Sequence, residues 1–302
     1  MDKAKLYTLR WSAMQIARLS SDPKVDALAL SQIEIISQLL GEPIPQEFAP
    51  PEPPRPSQHP EPKPAEVALP EKKRYPVGEK KLWYPEALVR TDIRRAAQGE
   101  YPKGYPYGAI VHFTAGQYNK GVENAIAAIS TSTYFFCSIG TDGKLVQANP
   151  LNQWGYHAGE SAWTIAGEKR TGVSNFLVGI EITNPGRLEV HNGKYYTYWD
   201  TSRKQPLDTQ KIRVIDKNRD NILAGAYLPY TKEQEETLVE FLLWAKANHP
   251  TVFDFDYVLG HDEVAGPKGI GRWRKNDPGG ALSMTMTEFR QLLKDEYKKR
   301  YG

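Results

Sequence analysis

The segment from Pro43 to Pro76 constrains this chain most. About a third of its residues are proline, interspersed with Glu and Lys. Proline fixes φ and removes a backbone donor, so such a stretch favours extended polyproline II and cannot build a core. It divides the 302-residue chain into a short front piece (1–42), a semi-rigid Pro-rich linker (43–80) and a long remainder (81–302). Only the last is large enough to bury a core of its own.

The front piece reads as two short helices. The second starts at Asp22-Pro23, an N-cap followed by proline at the first helical position. Apolar residues then recur at Val25, Ala29, Ile33, Ile36 and Leu40, and Gly41 stops the helix. Two helices this short need a partner surface: the main domain, a second copy, or another protein.

The long remainder alternates strand-like and helical patterns, which predicts an α/β fold with a central mixed β-sheet flanked by helices. Strand-like runs are Ala109–Phe113, Tyr134–Ile139, Leu145–Gln147, Phe176–Thr183 and Tyr257–Leu259. Thr231 with Gln234, and Thr285 with Glu288, have the spacing of capping boxes. The first opens a helix with Leu238, Phe241, Leu242 and Ala245 on one face. The second opens one with Phe289, Leu292, Leu293 and Tyr297 inward.

Composition excludes more than it selects. A formal charge of +3, with no basic block or face, gives no argument for nucleic acid. The one cysteine, Cys137, rules out an internal disulfide framework and a Cys-rich metal cluster; its apolar neighbours suit a small core residue. No apolar stretch follows Met1 as in a signal peptide, and no segment approaches the roughly 18 apolar residues of a membrane span.

Chemistry points to three histidines. His112 lies in a strand, His261 ends another in Leu259-Gly260-His261-Asp262-Glu263, and His157 lies in Trp154-Gly155-Tyr156-His157-Ala158-Gly159. A lone strand histidine is most simply a satisfied core residue. Two at strand ends, followed by the loop Gly271–Gly279 with its Asp277, also make a three-donor set. Such a set leaves a fourth position open, as catalytic zinc requires.

Ile110-Val111-His112-Phe113-Thr114-Ala115-Gly116 resembles the opening motif of the type 2 N-acetylmuramoyl-L-alanine amidases, the family that includes peptidoglycan-recognition proteins and phage amidases. Four further segments match in order: Tyr134–Gly143, Trp154–Gly159, Val178–Ile182, and Gly260-His261 with Arg274–Gly279. The resemblance spans most of residues 107–282. It implies that His112, His261 and Asp277 bind Zn2+, that Glu181 is the general base, and that Lys275 stabilises the oxyanion and assists the leaving amine. It implies peptidoglycan or muropeptides as the substrate, cut between N-acetylmuramic acid and L-alanine.

Tyr134 stands where some branches place a tyrosine instead of the glutamate; as a candidate catalytic residue it donates a hydrogen bond to the substrate or the oxyanion, and otherwise it packs. Thr114, Trp154 and His157 are expected at the substrate, His157 as a hydrogen-bonding partner for its carbonyl or muramyl group. An inactive peptidoglycan-recognition protein and a zinc hydrolase of another amide remain alternatives. Without a leader, the chain is expected to be made in the cytoplasm and to reach the cell wall after holin-dependent release or through a delivery system that docks residues 1–42; a cytoplasmic recycling amidase acting on small muropeptides, which has little use for a tether, is the third reading.

Two departures stand out. The loop from Ala265 to Trp273 lengthens the path to Asp277, which makes Asp262 and Glu263 conceivable substitutes, although adjacency on a strand would point Asp262 away. The stretch from Glu181 to Thr231, with Lys194-Tyr195-Tyr196-Thr197-Tyr198-Trp199, exceeds the minimal family domain; it suits an extra hairpin, a sugar groove or simple packing.

Overall fold

Residues 3–19, 23–42, 73–131, 136–271 and 274–302 are described by the computed structural model. They fall into two units, divided at residue 60. Asp22, most of the Pro-rich segment and Tyr134 lie outside the described residues. No described helix is long and apolar enough to cross a membrane.

In the first unit, α1 (Lys3–Leu19) and α2 (Pro23–Leu40) pack on each other. Pro23 is the first helical residue, where a missing N–H costs nothing. Ala29, Ile33 and Leu40 of the expected stripe are buried, as are Leu6 and Ala13 of α1. Gly41 takes φ +71°, a left-handed helix stop that a Cβ would disfavour. The Arg10 guanidinium donates to the Glu42 carboxylate at 2.7 Å, tying the first helix to the end of the second.

The second unit begins with β1 (Leu88–Val89), β2 (Gly99–Glu100), β3 (Gly108–Phe113) and α3 (Val122–Thr131). β4 (Cys137–Ile139), β5 (Leu145–Gln147), β6 (Gln153–Trp154), β7 (Ala162–Ile165), β8 (Glu168–Thr171) and β9 (Leu177–Ile182) follow. Next come β10 (Arg187–His191), β11 (Lys194–Tyr196), β12 (Arg213–Ile215), β13 (Gly225–Tyr227) and α4 (Lys232–Asn248). The unit ends with β14 (Val258–Gly260), α5 (His261–Val264) and α6 (Met286–Tyr301).

The central sheet has the order β1-β5-β4-β9-β3-β14. It is mixed: β4 and β5 are antiparallel, whereas β4, β9, β3 and β14 run parallel. Of the expected run Tyr134–Ile139, Tyr134 and Phe135 lie outside the described residues, Phe136 precedes the strand, and β4 begins at Cys137. Both expected capping boxes form: Thr231 Oγ1 accepts from Gln234 N and Thr285 Oγ1 from Glu288 N.

Alternation sorts the strands into two faces. Val111, Val178, Ile180 and Ile182 point toward Leu238, Phe241, Leu242, Phe289 and Leu293 of α4 and α6. Ile110, Leu177 and Leu259 pack on the other face against Ala158, Ile165 and Val173. Each large apolar side chain so buried contributes about 1.5–3 kcal/mol. Cys137 is wholly buried in the first of these layers, and burial, with the nearby Glu181 charge, pushes its thiol pKa up.

The chain is already fastened to this unit at Lys73. Arg300 donates to Lys73 O and forms a two-pronged pair with the Glu240 carboxylate at 2.9 and 2.6 Å. The Tyr75 hydroxyl donates to Glu240 Oε2, and Tyr75 N donates to the Tyr301 hydroxyl. Gly78 N and Lys80 N bond the last carbonyls of α4. The final residues of the predicted linker therefore behave as part of the folded body.

Between β9 and α4, a separate sheet of order β11-β10-β13-β12 forms. The stretch around Lys194 is thus a hairpin, β10 with β11. Tyr195 and Tyr196 are buried, while Tyr198 is exposed and edge-on to Trp199 at 5.1 Å.

Candidate active site

The site forms where the parallel strands end. His112 is the penultimate residue of β3 and Glu181 the penultimate residue of β9, directly paired in register. Equal position on parallel strands puts both side chains on the same face. His261 follows β14 immediately. It does not end a strand, as the sequence suggested; it opens the one-turn helix α5. Asp277 arrives from the loop before α6. Crevices at the carboxyl ends of parallel strands are a common place for ligand sites in α/β folds.

His112 Nδ1 and His261 Nδ1 each lie 3.0 Å from the same oxygen, Asp277 Oδ2. The proton positions follow from the outer partners. His261 Nε2 is 3.0 Å from Ala158 O, an acceptor, so that nitrogen carries the proton. His157 Nε2 is 3.0 Å from Leu177 O and must donate as well. His157 Nδ1 is then an acceptor, and His112 Nε2, 3.0 Å away, donates to it. Two backbone carbonyls therefore turn the Nδ1 lone pairs of His112 and His261 toward a carboxylate oxygen. Three electron pairs facing one another call for positive charge between them.

Protons answer that need poorly, because burial and the neighbouring His261 pull the His112 pKa down to about 4, against the pull of Asp277. A cation answers it directly. The three donors, all buried and within 4.8 Å of one another, are the ones that could hold a metal. Zinc takes nitrogen and oxygen ligands at about 2.0–2.2 Å, which sets tetrahedral ligand separations of roughly 3.3 Å. The observed 3.0 Å spacing and the donor chemistry fit such an ion. Burial pushes the Asp277 carboxyl up, but the facing His261 and His112 overcome it and hold the pKa well below the usual range.

A cleft of about 480 Å³ opens over this centre, lined also by Thr114, Glu181, Arg274 and Lys275. Burial, and then the Asp277 charge, push the Glu181 pKa well up, opposed by the Lys275 charge. Glu181 Oε2 is buried and has no protein hydrogen-bond partner, so it can accept from a molecule in the cleft. Lys275 is half-buried. Thr114 Oγ1 exchanges hydrogen bonds with the backbone of Asn184.

His157 does not offer a nitrogen to the cleft in this arrangement, since both are engaged as described. Its ring lies against Gly179, where an added Cβ would sit 2.7 Å from His157 Cγ. Only glycine admits the ring there. Trp154 does not line the cleft; it sits edge-on to the exposed Tyr156 at 5.4 Å and packs beside Gly99.

Asp262 faces away from the metal-type centre, because α5 carries it inward rather than along a strand. It accepts from Asn221 Nδ2 at 2.9 Å and Gly279 N at 3.1 Å, while its own N–H donates to Asp277 O. Glu263 is bound by Arg290 through both carboxylate oxygens. Sequence reasoning missed this latch on the Asp277 loop. It also missed Tyr230, whose hydroxyl donates to His112 O, and Arg274, which donates to Ala158 O and Glu160 O.

An α/β fold with a buried donor triad at strand ends, and a carboxylate and an ammonium in the cleft above it, has the layout of a hydrolase. The chain belongs to the N-acetylmuramoyl-L-alanine amidase family, whose model matches residues 102–280. It is thereby a peptidoglycan amidase by family. Among solved structures it is similar to a selenomethionine derivative of AmpD, with 19% identity and a TM-score of 0.41 over 72% of this chain and 99% of that one. It is also similar to AmpDh3 from Pseudomonas aeruginosa, solved in complex with anhydromuramic pentapeptide. There the identity is 16% and the TM-score 0.39, over 67% of this chain and 63% of that one. No curated protein sequence matches the chain.

Proposed function

We propose that the protein is a zinc-dependent amidase that hydrolyses the bond between N-acetylmuramic acid and the L-alanine of the stem peptide. The observation that carries this reading is the convergence of the His112 and His261 Nδ1 atoms on the Asp277 carboxylate beneath an open cleft. His112, His261 and Asp277 hold the ion. When bound, zinc makes water acidic near neutral pH and polarises the scissile carbonyl.

The remaining work falls to the chain. Glu181, with one oxygen free of protein partners, accepts the proton of the attacking water, and its desolvated carboxylate is a stronger base for that reason. Lys275 holds the negative charge that develops on the carbonyl oxygen and supplies the proton that the leaving amine needs. His157 fixes the orientation of His112, and Thr114 shapes the cleft. Tyr134, outside the described residues, is assigned to the substrate side on family resemblance alone. The helical unit and the Pro-rich linker serve as a docking or targeting device, used in release or delivery to the cell wall.

The test is digestion of purified sacculi with and without a chelator, with products identified by mass. Stem peptides beginning at L-alanine, lost on chelation and restored by zinc, are the expected result. Intact sacculi with zinc bound would refute the reading and favour a recognition protein.

A further inference from the structure

A second cleft, of about 670 Å³, lies next to the first. The two are linked through bonded lining residues. Thr114 lines the first, Asn184 and Tyr230 line the second, and Thr114 is bonded to Asn184 through its hydroxyl. Tyr230 donates to His112 O, so the second cleft rests against the backbone of a candidate metal ligand.

The floor and the rim of the second cleft differ in kind. Floor amides are satisfied internally: Asn184 donates to Leu228 O and accepts from Gly186 N, and Gln234 donates to Thr183 O. The rim is not. It comes from the turn between β11 and β12, part of the extra sheet, and carries Asp208, Gln210 and Lys211. The Lys211 side chain is exposed, and its ammonium pairs with no described residue, although its backbone N–H donates to Asp208 O. Among the described residues, the Asp208 carboxylate accepts only the N–H of Gln210, at 3.1 Å. Leu207, Leu228 and Pro229 supply apolar wall.

Apolar walls capped by one ammonium and one carboxylate suit a short peptide with a free carboxylate and a free amine. A glycan would instead call for open aromatic faces, whereas Tyr230 is buried with its hydroxyl on His112 O and Tyr118 is half-buried. We infer that the second cleft is a subsite for the distal, charged end of the stem peptide, with Lys211 pairing its carboxylate and Asp208 its amine. This rests on the amidase reading above. It makes the extra sheet the element that reads stem-peptide length.

The test compares two soluble substrates, N-acetylmuramoyl-L-alanine and the same sugar carrying a full stem peptide. Each is assayed with the zinc-loaded full-length protein and with the Lys211→Ala and Gln210→Trp variants. Expected is a preference for the full stem, with the ratio of the two kcat/KM values falling about fivefold in Lys211→Ala, the scale of an exposed ion pair. Gln210→Trp, which fills the rim, should lower the ratio further. Calorimetric binding of the free stem peptide, which needs no turnover, should weaken in parallel in both variants.

Equal losses on both substrates, or none in either assay, would overturn the subsite. So would a dependence on glycan length in place of peptide length. If the wild type cleaves neither substrate yet binds the free peptide through Lys211, the amidase reading fails and the subsite stands.

Discussion

Replacing His157 by phenylalanine isolates one link in the chain that aims the metal-facing nitrogens. In the wild type, Leu177 O fixes the proton on His157 Nε2, and His157 Nδ1 fixes the proton on His112 Nε2, each across 3.0 Å. Phenylalanine keeps the flat ring that lies on Gly179 and removes both bonds. Leu177 O retains a bond from the Tyr101 hydroxyl at 3.3 Å, so the loss concentrates on His112. Losing this bond should cost about 1–3 kcal/mol of fold stability. Removing the partner that orients a metal-ligating histidine typically lowers metal affinity 10–100-fold, equivalent to about 1.4–2.8 kcal/mol. The assay is competition for zinc against a chromophoric chelator at fixed pH, with circular dichroism to confirm folding. His157→Gln, whose amide both donates and accepts, should recover part of the affinity. Unchanged zinc affinity in a folded His157→Phe protein would refute the tautomer argument.

Other expectations follow from the same geometry. Glu181→Gln should lower kcat on muropeptides by about 10²–10⁴-fold while zinc content, measured by atomic emission, stays at wild-type level. Asp262→Ala leaves Asn221 and Gly279 N without their acceptor; it should destabilise by about 1–3 kcal/mol in denaturant titration and weaken zinc binding through the Asp277 loop. Arg300→Met should cost about 3–5 kcal/mol, because it strands the buried Glu240 carboxylate; chemical denaturation would show it. Chelation should lower the melting temperature, and zinc at 1,000 times its dissociation constant should add about 4 kcal/mol of stability.

Local signals in the sequence reached far into this fold. Thr231 and Thr285 announced their helices because a capping box is written within four residues. His112, Glu181 and His261 could be singled out because each lies at or just past the end of a short apolar strand, where an α/β sheet presents side chains. The misses share another character. The part played by His157 depends on a carbonyl from Leu177 and a ring from His112, brought together only by the fold. His261 was expected to end a strand because the three residues of β14 were extended into what is a helical turn. The pairing of β10 with β13 spans a long loop and leaves no periodic trace. The linker's end was drawn too late, since the bonds that fasten Lys73 and Tyr75 come from Glu240, Arg300 and Tyr301, far along the chain.

That fastening has a mechanical meaning. Tension drawn through the chain ahead of residue 73 enters the domain at Arg300 and Glu240, on the helices that back one face of the sheet. His112 and Glu181 stand on the opposite face. The ion pair thus acts as a strain relief, taking the load at the helices and leaving the strands that aim the reacting groups unloaded.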